Sequence, residues 1–346
     1  MSDKTRHALE LCAQTAAAAY DALQAVDEPA SSKDAEILRK DFLSILTLLY
    51  AAATKIALSL KPPNPDYQAS LRPITDMGGA SVALSACASQ FTTHQHGPAM
   101  RRKVRSLAGN VLHAARHLCS SLASDSGDIY VLTGAVHDSV DRARELPESE
   151  LATIRAIFRT NQACLDDGLP ELKELIEGSE DPDDGWNDLE DELGDDLTSK
   201  TLSVEERARV STLFPLIKIT TQLHKKILSD CLAVSLEPPL PLPRLAALEP
   251  LSTQLLTHFE DAVSSLYGPQ NPTAINDSMT VLLATAADMR RQLQPATDSS
   301  STDVSDQLQN LNISDVAPAL PEKTSKWLQL CFAQIDQLSS KCLPVT

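Results

Sequence analysis

The sequence predicts an all-α protein, and three observations support this prediction. Hydrophobic residues make up 42% of the 346 residues, whereas aromatic residues make up only 4% and glycine occurs 11 times. Sheets draw on aromatic and β-branched side chains, so this composition favours packed helices. Apolar residues also recur at spacings of three and four, which is the pattern of helices that bury one stripe. The length suffices for two domains, each with its own apolar core.

Six apolar stripes in the first half of the chain predict six helices. The second stripe is the clearest, because Ser31 and Asp34 form a possible capping box before it and Pro62-Pro63 follows it. Gly97-Pro98 opens the fourth stripe and Pro147 closes the fifth, since proline suits the first turn of a helix better than its interior. In chain order the stripes occupy residues 9–23, 42–60, 71–91, 104–122, 129–140 and 151–165.

Four more stripes predict helices in the second half. Pro215 lies near enough to the start of the first of these helices to kink it. Residues 237–243 read EPPLPLP, which cannot continue a helix, and they are predicted to form a stiff, extended spacer. Residues 295–320 are rich in Ser, Thr and Asp and are predicted to be mobile. The stripes occupy residues 210–231, 245–266, 275–289 and 327–338, and helices with such short connectors pack as antiparallel bundle neighbours.

Negative charge is concentrated in one segment. The net charge is −17, and residues 166–196 hold 15 of the 47 acidic side chains against one basic side chain, Lys173. Such a segment is typical of a solvated linker or an interaction strip between two folded parts. We therefore predict an N-terminal helical bundle over residues 1–178, an acidic linker or interaction strip over 179–200, and a C-terminal helical bundle over 201–346.

The acidic strip also carries apolar side chains, because Trp186, Leu189 and Leu193 are set within it at spacings of three and four. These side chains could dock onto a bundle, or they could present an amphipathic strip to a basic partner, and both interpretations stay open. The predicted partner-binding residues are Asp181, Asp183, Asp184, Trp186, Asp188, Leu189 and Asp191.

Signatures of catalysis are scarce. The chain has no G-x-x-x-x-G-K-[ST], no G-x-G-x-x-G and no G-x-S-x-G motif. His94, His96, His113 and His117 could hold a metal, but no Glu-x-x-His spacing supports them, and a solvated or partner-facing set is favoured. We therefore predict a non-enzymatic protein with no catalytic residue, no cofactor and no metal.

The densest basic cluster in the chain is Arg101, Arg102, Lys103 and Arg105. It could mark a nuclear import signal or a nucleic-acid patch. Four charges at the start of an amphipathic helix are more often its solvated face, and a net charge of −17 opposes binding to a phosphate backbone. No apolar run approaches the ~20 residues that a membrane span needs. We therefore expect no direct binding to nucleic acid or membrane.

Four stretches of the chain resemble the cyclin-D-interacting protein family, also called GCIP. The resemblance extends over roughly residues 33 to 290. The four stretches are RKDFLSILTLLYAAATKIALSLKPP at 39–63, LTGAVHDSVDRARELP at 132–147, the Trp186 strip followed by PLIKITTQLHKKIL, and EDAVSSLYGP at 260–269. The second and fourth stretches are the most specific. His137 stands in the second stretch at a position where the family usually has a tryptophan.

The resemblance implies an all-α protein of two antiparallel bundles, similar to those of talin and vinculin. It also implies a non-enzymatic regulator that binds cyclin D and helix-loop-helix transcription factors, acts in the nucleus and the cytoplasm, and restrains cell-cycle progression. The talin-like and vinculin-like architecture leaves open a second function, as a cytoskeletal or adhesion adaptor.

Overall fold

A computed structural model describes residues 1–24, 33–177, 202–236, 240–293 and 320–342. The described residues form eleven α-helices and no strand, which confirms the predicted all-α class. The helices fall into two compact units, Met1–Thr153 and Ile154–Thr346. The talin-like arrangement of the two bundles stays a prediction. The boundaries at residues 178 and 200 and the mobility of 295–320 also stay predictions, because residues 178–201 and 294–319 lie outside the described ranges.

The first unit is a bundle of five long helices and one single-turn helix. Helix α1 packs against α3 and α5, α2 packs against α3 and α6, and α5 also packs against α3, α6 and the short α4. The side chains of Phe42, Met77 and Val111 are fully buried between them. The elements are α1 (Asp3–Gln24), α2 (Ala35–Ser59), α3 (Tyr67–Ser89), α4 (Thr93–His96), α5 (Pro98–Ala123) and α6 (Ile129–Arg144).

Helix α2 is long and apolar enough to cross a membrane by length and composition. The same properties suit a core helix, and the stripe that includes Leu38, Phe42 and Leu49 is buried in the bundle. The side chain of Asp34 caps this helix by accepting a hydrogen bond from the Glu36 amide at 2.9 Å. Asp34 is thus the N-cap itself rather than the second member of a capping box, and Ser31 lies outside the described residues.

The second unit contains most of α7 and the four remaining helices. Helix α9 packs against α10, and α11 packs against α8. Gly168 of α7 permits a close approach to α9, since a Cβ atom there would lie 2.6 Å from the Phe259 ring. The elements are α7 (Glu150–Glu177), α8 (Val204–Lys226) with a π-helical turn at Ile227–Cys231, α9 (Leu242–Ser265), α10 (Pro272–Leu293) and α11 (Glu322–Cys342).

Three helix ends differ from the sequence prediction. Helix α7 continues past the end of its stripe at residue 165 to Glu177, because the fully buried Leu172 extends the stripe. Helix α8 begins at Val204, where Ser203 and Glu206 form a capping box, so that Pro215 lies well inside the helix. Helix α9 begins at Leu242, so the last two residues of the predicted spacer are helical and proline occupies the first turn.

The N-terminus of α5 is capped by a side chain that is distant in sequence. Gly97, which precedes this helix with φ of 90°, supplies no side-chain cap. The buried Glu150 carboxylate instead accepts hydrogen bonds from the Ala99 amide at 3.1 Å and the Met100 amide at 2.6 Å. A Cβ atom on residue 97 would lie 2.2 Å from Glu150 Cδ, so glycine is required there by space as well as by φ.

The substitution Glu150→Gln tests this cap. An amide keeps one acceptor oxygen but turns an NH₂ group toward the second backbone amide, so one charge-assisted bond is lost. We expect the free energy of unfolding to fall by about 1–3 kcal/mol, measured by chemical denaturation. Glu148→Gln, two residues earlier on an exposed side chain, is the matched control and should leave stability unchanged. Equal stability of the two variants would contradict the capping role.

Candidate functional site

The sequence-predicted partner-binding residues lie outside the described residues. This holds for Asp181, Asp183, Asp184, Trp186, Asp188, Leu189 and Asp191. Their role therefore stays a prediction.

The four histidines that could hold a metal do not share one environment. His94, His113 and His117 are exposed, as the favoured interpretation requires. His96 is buried, which corrects that interpretation for one residue. Its Nδ1 accepts from the Thr92 amide at 3.0 Å, so Nε2 carries the proton that is donated to the Lys33 carbonyl, also at 3.0 Å. In the part of the chain that the structure describes, no group of three His, Cys, Asp or Glu side chains could hold a metal ion.

A concave groove lies at one end of the first unit. The connection from α2 to α3 forms one wall, and the connection from α5 to α6 forms the other. Both connections are held by caps: Asp66 accepts from the Ala69 amide at 2.9 Å, and Asp128 accepts from the Tyr130 amide at 2.7 Å. Gly127, with φ of 89°, allows the chain to turn into α6.

The groove encloses about 500 Å³, and it combines rigid apolar surface with carboxylates. Pro62, Pro63 and Pro65 line one wall. The Tyr130 ring, 54% exposed, and the Asp125 carboxylate belong to the other. Aromatic side chains on a rigid concave surface are typical anchors of protein interfaces. The remaining lining residues are Met1, Leu60, Tyr67, Leu122, Gly127, Asp128 and Ile129.

The groove was not predicted from the sequence. Its residues come from two connections about sixty positions apart, and Pro62-Pro63 was interpreted only as the end of a helix. The one local signal was the group Pro62-Pro63-x-Pro65, which fixes backbone conformation without building a core.

His137, where the resemblance gives a tryptophan, makes an aromatic contact. Its ring stacks on Tyr50 with centroids 3.7 Å apart and planes inclined by 12°. His137 Nε2 lies 3.1 Å from the Thr54 hydroxyl, and the Arg144 guanidinium lies 4.9 Å from the centre of the Tyr50 ring. These contacts join α2 to α6 on the surface of the bundle.

A second cluster of chemically capable side chains is buried in the second unit. Ser252 Oγ lies 2.7 Å from His224 Nε2, which is the spacing of a nucleophile and its base. Nδ1 of the same imidazole donates to Gln162 Oε1 at 2.7 Å, and the Asn161 amide donates to Ser252 Oγ at 2.9 Å. The Phe158 ring stacks on the imidazole at 4.6 Å. This cluster was not predicted from the sequence, because its members come from three helices.

Burial governs the chemistry of this cluster. The Ser252 and His224 side chains have no exposed surface, so a substrate could reach them only if the helices separated. Burial also lowers the pKa of His224 from 6.5 to about 4, while the carboxylate of Asp166 opposes that shift. A neutral imidazole that donates once and accepts once satisfies every polar group around it, as a structural polar core requires.

The stability of the second unit should therefore fall in mild acid. The unfolded state binds a proton at His224 near pH 6.5 and the folded state only near pH 4, so stability is retained above pH 6.5 and lost as the pH falls through this window. We expect the titration of His224 to lower the free energy of unfolding by an amount on the order of 3 kcal/mol at pH 4. The variant His224→Gln has no group that titrates at this position and should not show this loss. Chemical denaturation of both proteins between pH 7 and pH 4 provides the comparison. An NMR titration that places the His224 pKa near 6.5 would contradict this account.

Comparison with known proteins identifies the domain that contains the groove. Residues 41–178 match the family described as Grap2 and cyclin-D-interacting, N-terminal, and this span includes every groove residue except Met1. The comparison with curated proteins found no match. The resemblance noted in the sequence is thus confirmed for this N-terminal domain, residues 41–178, which is similar to the N-terminal domain of the cyclin-D-interacting protein family.

Proposed function

We propose that the protein is a non-enzymatic regulator that binds other proteins, with a D-type cyclin as its first partner. The match of residues 41–178 to a family described by its interaction with cyclin D carries the proposal. In the same proposal, helix-loop-helix transcription factors are further partners, the protein acts in the cytoplasm and the nucleus, and it restrains cell-cycle progression and transcription.

The groove at the end of the first unit supports a binding role. It lies almost entirely within the matched residues and offers an exposed tyrosine ring beside rigid proline walls. Rigid walls lose little conformational entropy on binding. The free energy that a partner gains by contacting this surface is therefore not offset by the cost of ordering loops. The cluster at His224 supports the non-enzymatic part of the proposal, since its Ser–His pair is closed to solvent.

A pull-down of a purified D-type cyclin with the full chain tests this function, and Tyr130→Ala tests the groove. Loss of a central aromatic anchor should weaken binding about tenfold or more, measured by titration. Val131→Ala removes a 69% exposed side chain on the next residue, which does not line the groove, and should leave affinity unchanged. Thermal melts of both variants should match the wild type, because neither side chain is buried.

Two results would count against the proposal in different ways. No capture of cyclin D by the wild-type chain at moderate salt would reject the partner. Capture that both variants retain in full would keep the partner but place its contact away from the groove.

A further inference from the structure

Helix α5 and the end of α3 lie in a long stretch of the chain without carboxylates. Residues 77–124 contain no Asp or Glu, although the whole chain has 47 acidic side chains in 346 residues. The same stretch contains five basic residues, all of them on α5: Arg101, Arg102, Lys103, Arg105 and Arg116. A negatively charged protein thus carries one helix on which every formal charge is positive.

The outer face of α5 is polar along its whole length. Its exposed positions recur every three or four residues, and none of them is a large apolar side chain. Lys103 and Arg116 mark the two ends of this face, about 20 Å apart at 1.5 Å per residue. Such a face suits charge-assisted hydrogen bonds better than apolar docking. The exposed residues are Arg102, Lys103, Ser106, Asn110, His113, Arg116, His117 and Ser120.

Two concavities lie beside this face, where α5 meets α1. One encloses about 460 Å³ and is lined by Tyr20 together with Arg102 and Asn110. The other encloses about 370 Å³ and is lined by Gln14 and Arg116. Among the residues that the structure describes, which exclude 25–32, Glu10 is the one acidic side chain that lines either concavity. Each concavity therefore offers donors and a cation at a size that suits individual side chains.

The position of these cations is unfavourable for the helix itself. Arg101 lies in the first turn of α5, where the partial positive charge of the helix N-terminus repels cations, and Arg102, Lys103 and Arg105 follow directly after it. Helix stability would favour acidic residues at these positions. Arg105 offsets part of this cost by donating a hydrogen bond to the Leu23 carbonyl of α1, whereas Lys103 and Arg116 lie at exposed positions on the outer face.

We propose that the outer face of α5, from Lys103 to Arg116, binds an Asp/Glu-rich polypeptide segment of a partner protein. The positive charge of the face requires a negatively charged partner segment. The two concavities provide places for the side chains that lie between its carboxylates. A polypeptide fits the face better than a nucleic-acid duplex, because its separate side chains can enter the two concavities, whereas the phosphates of a duplex form a continuous row on one stiff surface. This inference does not rest on cyclin binding, since it concerns a different surface of the first unit.

Fluorescence anisotropy of a labelled peptide of sixteen glutamates, titrated with the full chain at low salt, tests the proposal. We expect binding that weakens as salt is added, because the contact is between charges. The paired substitution Lys103→Glu and Arg116→Glu should weaken binding at least tenfold. Lys55→Glu with Arg72→Glu is the matched control: it reverses one lysine and one arginine at exposed positions on α2 and α3, and should change affinity less than twofold.

Every other outcome has a defined meaning. Equal losses in the two paired variants would overturn the proposal, since net charge alone would then explain binding. A sixteen-base-pair DNA duplex that binds as tightly as the peptide would assign the face to phosphates instead. Tighter peptide binding after Asp181, Asp183, Asp184, Asp188 and Asp191 are all changed to asparagine would make the chain's own acidic strip the occupant and would also overturn it.

Two further measurements keep the test decisive. If the paired glutamate variant does not fold, Lys103→Gln with Arg116→Gln removes the charge without reversing it and should weaken binding about threefold. Tyr130→Ala should leave peptide binding unchanged, so failure of the groove and failure of the α5 face can be told apart.

Discussion

The hydrogen bonds from the α5 N-terminus to the Glu150 carboxylate are the interaction on which the first unit most depends. Helix α5 contacts α1, α3 and α6, so the bundle requires this helix to begin at a fixed place. Its first turn carries one cation, Arg101, which opposes the helix dipole, and Gly97 provides no side-chain cap. A buried anion on the first turn of α7 supplies the missing acceptor and the missing negative charge together. The positive face of α5 is compatible with folding because of this contact.

The two units solve the problem of buried polar groups in related ways. In the first unit, the His96 imidazole joins two backbone groups that are far apart in sequence, the Thr92 amide and the Lys33 carbonyl. In the second unit, the His224 imidazole joins side chains of α7 and α9. Each imidazole donates one hydrogen bond and accepts one, which fixes its tautomer and leaves no buried ring nitrogen without a partner. Both clusters therefore specify how helices meet without offering an accessible reactive group.

Local sequence patterns predicted most of the fold and little of the candidate site. The apolar stripes located all ten long helices, because burial of one face imposes its period on the sequence. Helix ends were less predictable: the stop expected after residue 165 did not occur, since burial of Leu172 outweighs Gly168 and Pro170. The groove, the Glu150 cap and the His224 cluster unite residues about thirty to ninety positions apart. No local pattern encodes such contacts.

The distribution of charge explains how a strongly acidic protein can present a surface to an acidic partner. Residues 1–153 hold 15 basic and 17 acidic side chains, whereas residues 154–346 hold 15 and 30, so the excess negative charge belongs almost entirely to the second unit. At physiological ionic strength, exposed charges more than about 8 Å apart are largely screened from each other. What an approaching segment meets at α5 is thus set by the cations of that helix and its near neighbours. A net charge of −17 limits long-range attraction to an acidic partner and slows encounter with it. It does not decide whether the contact at the α5 face is attractive or repulsive.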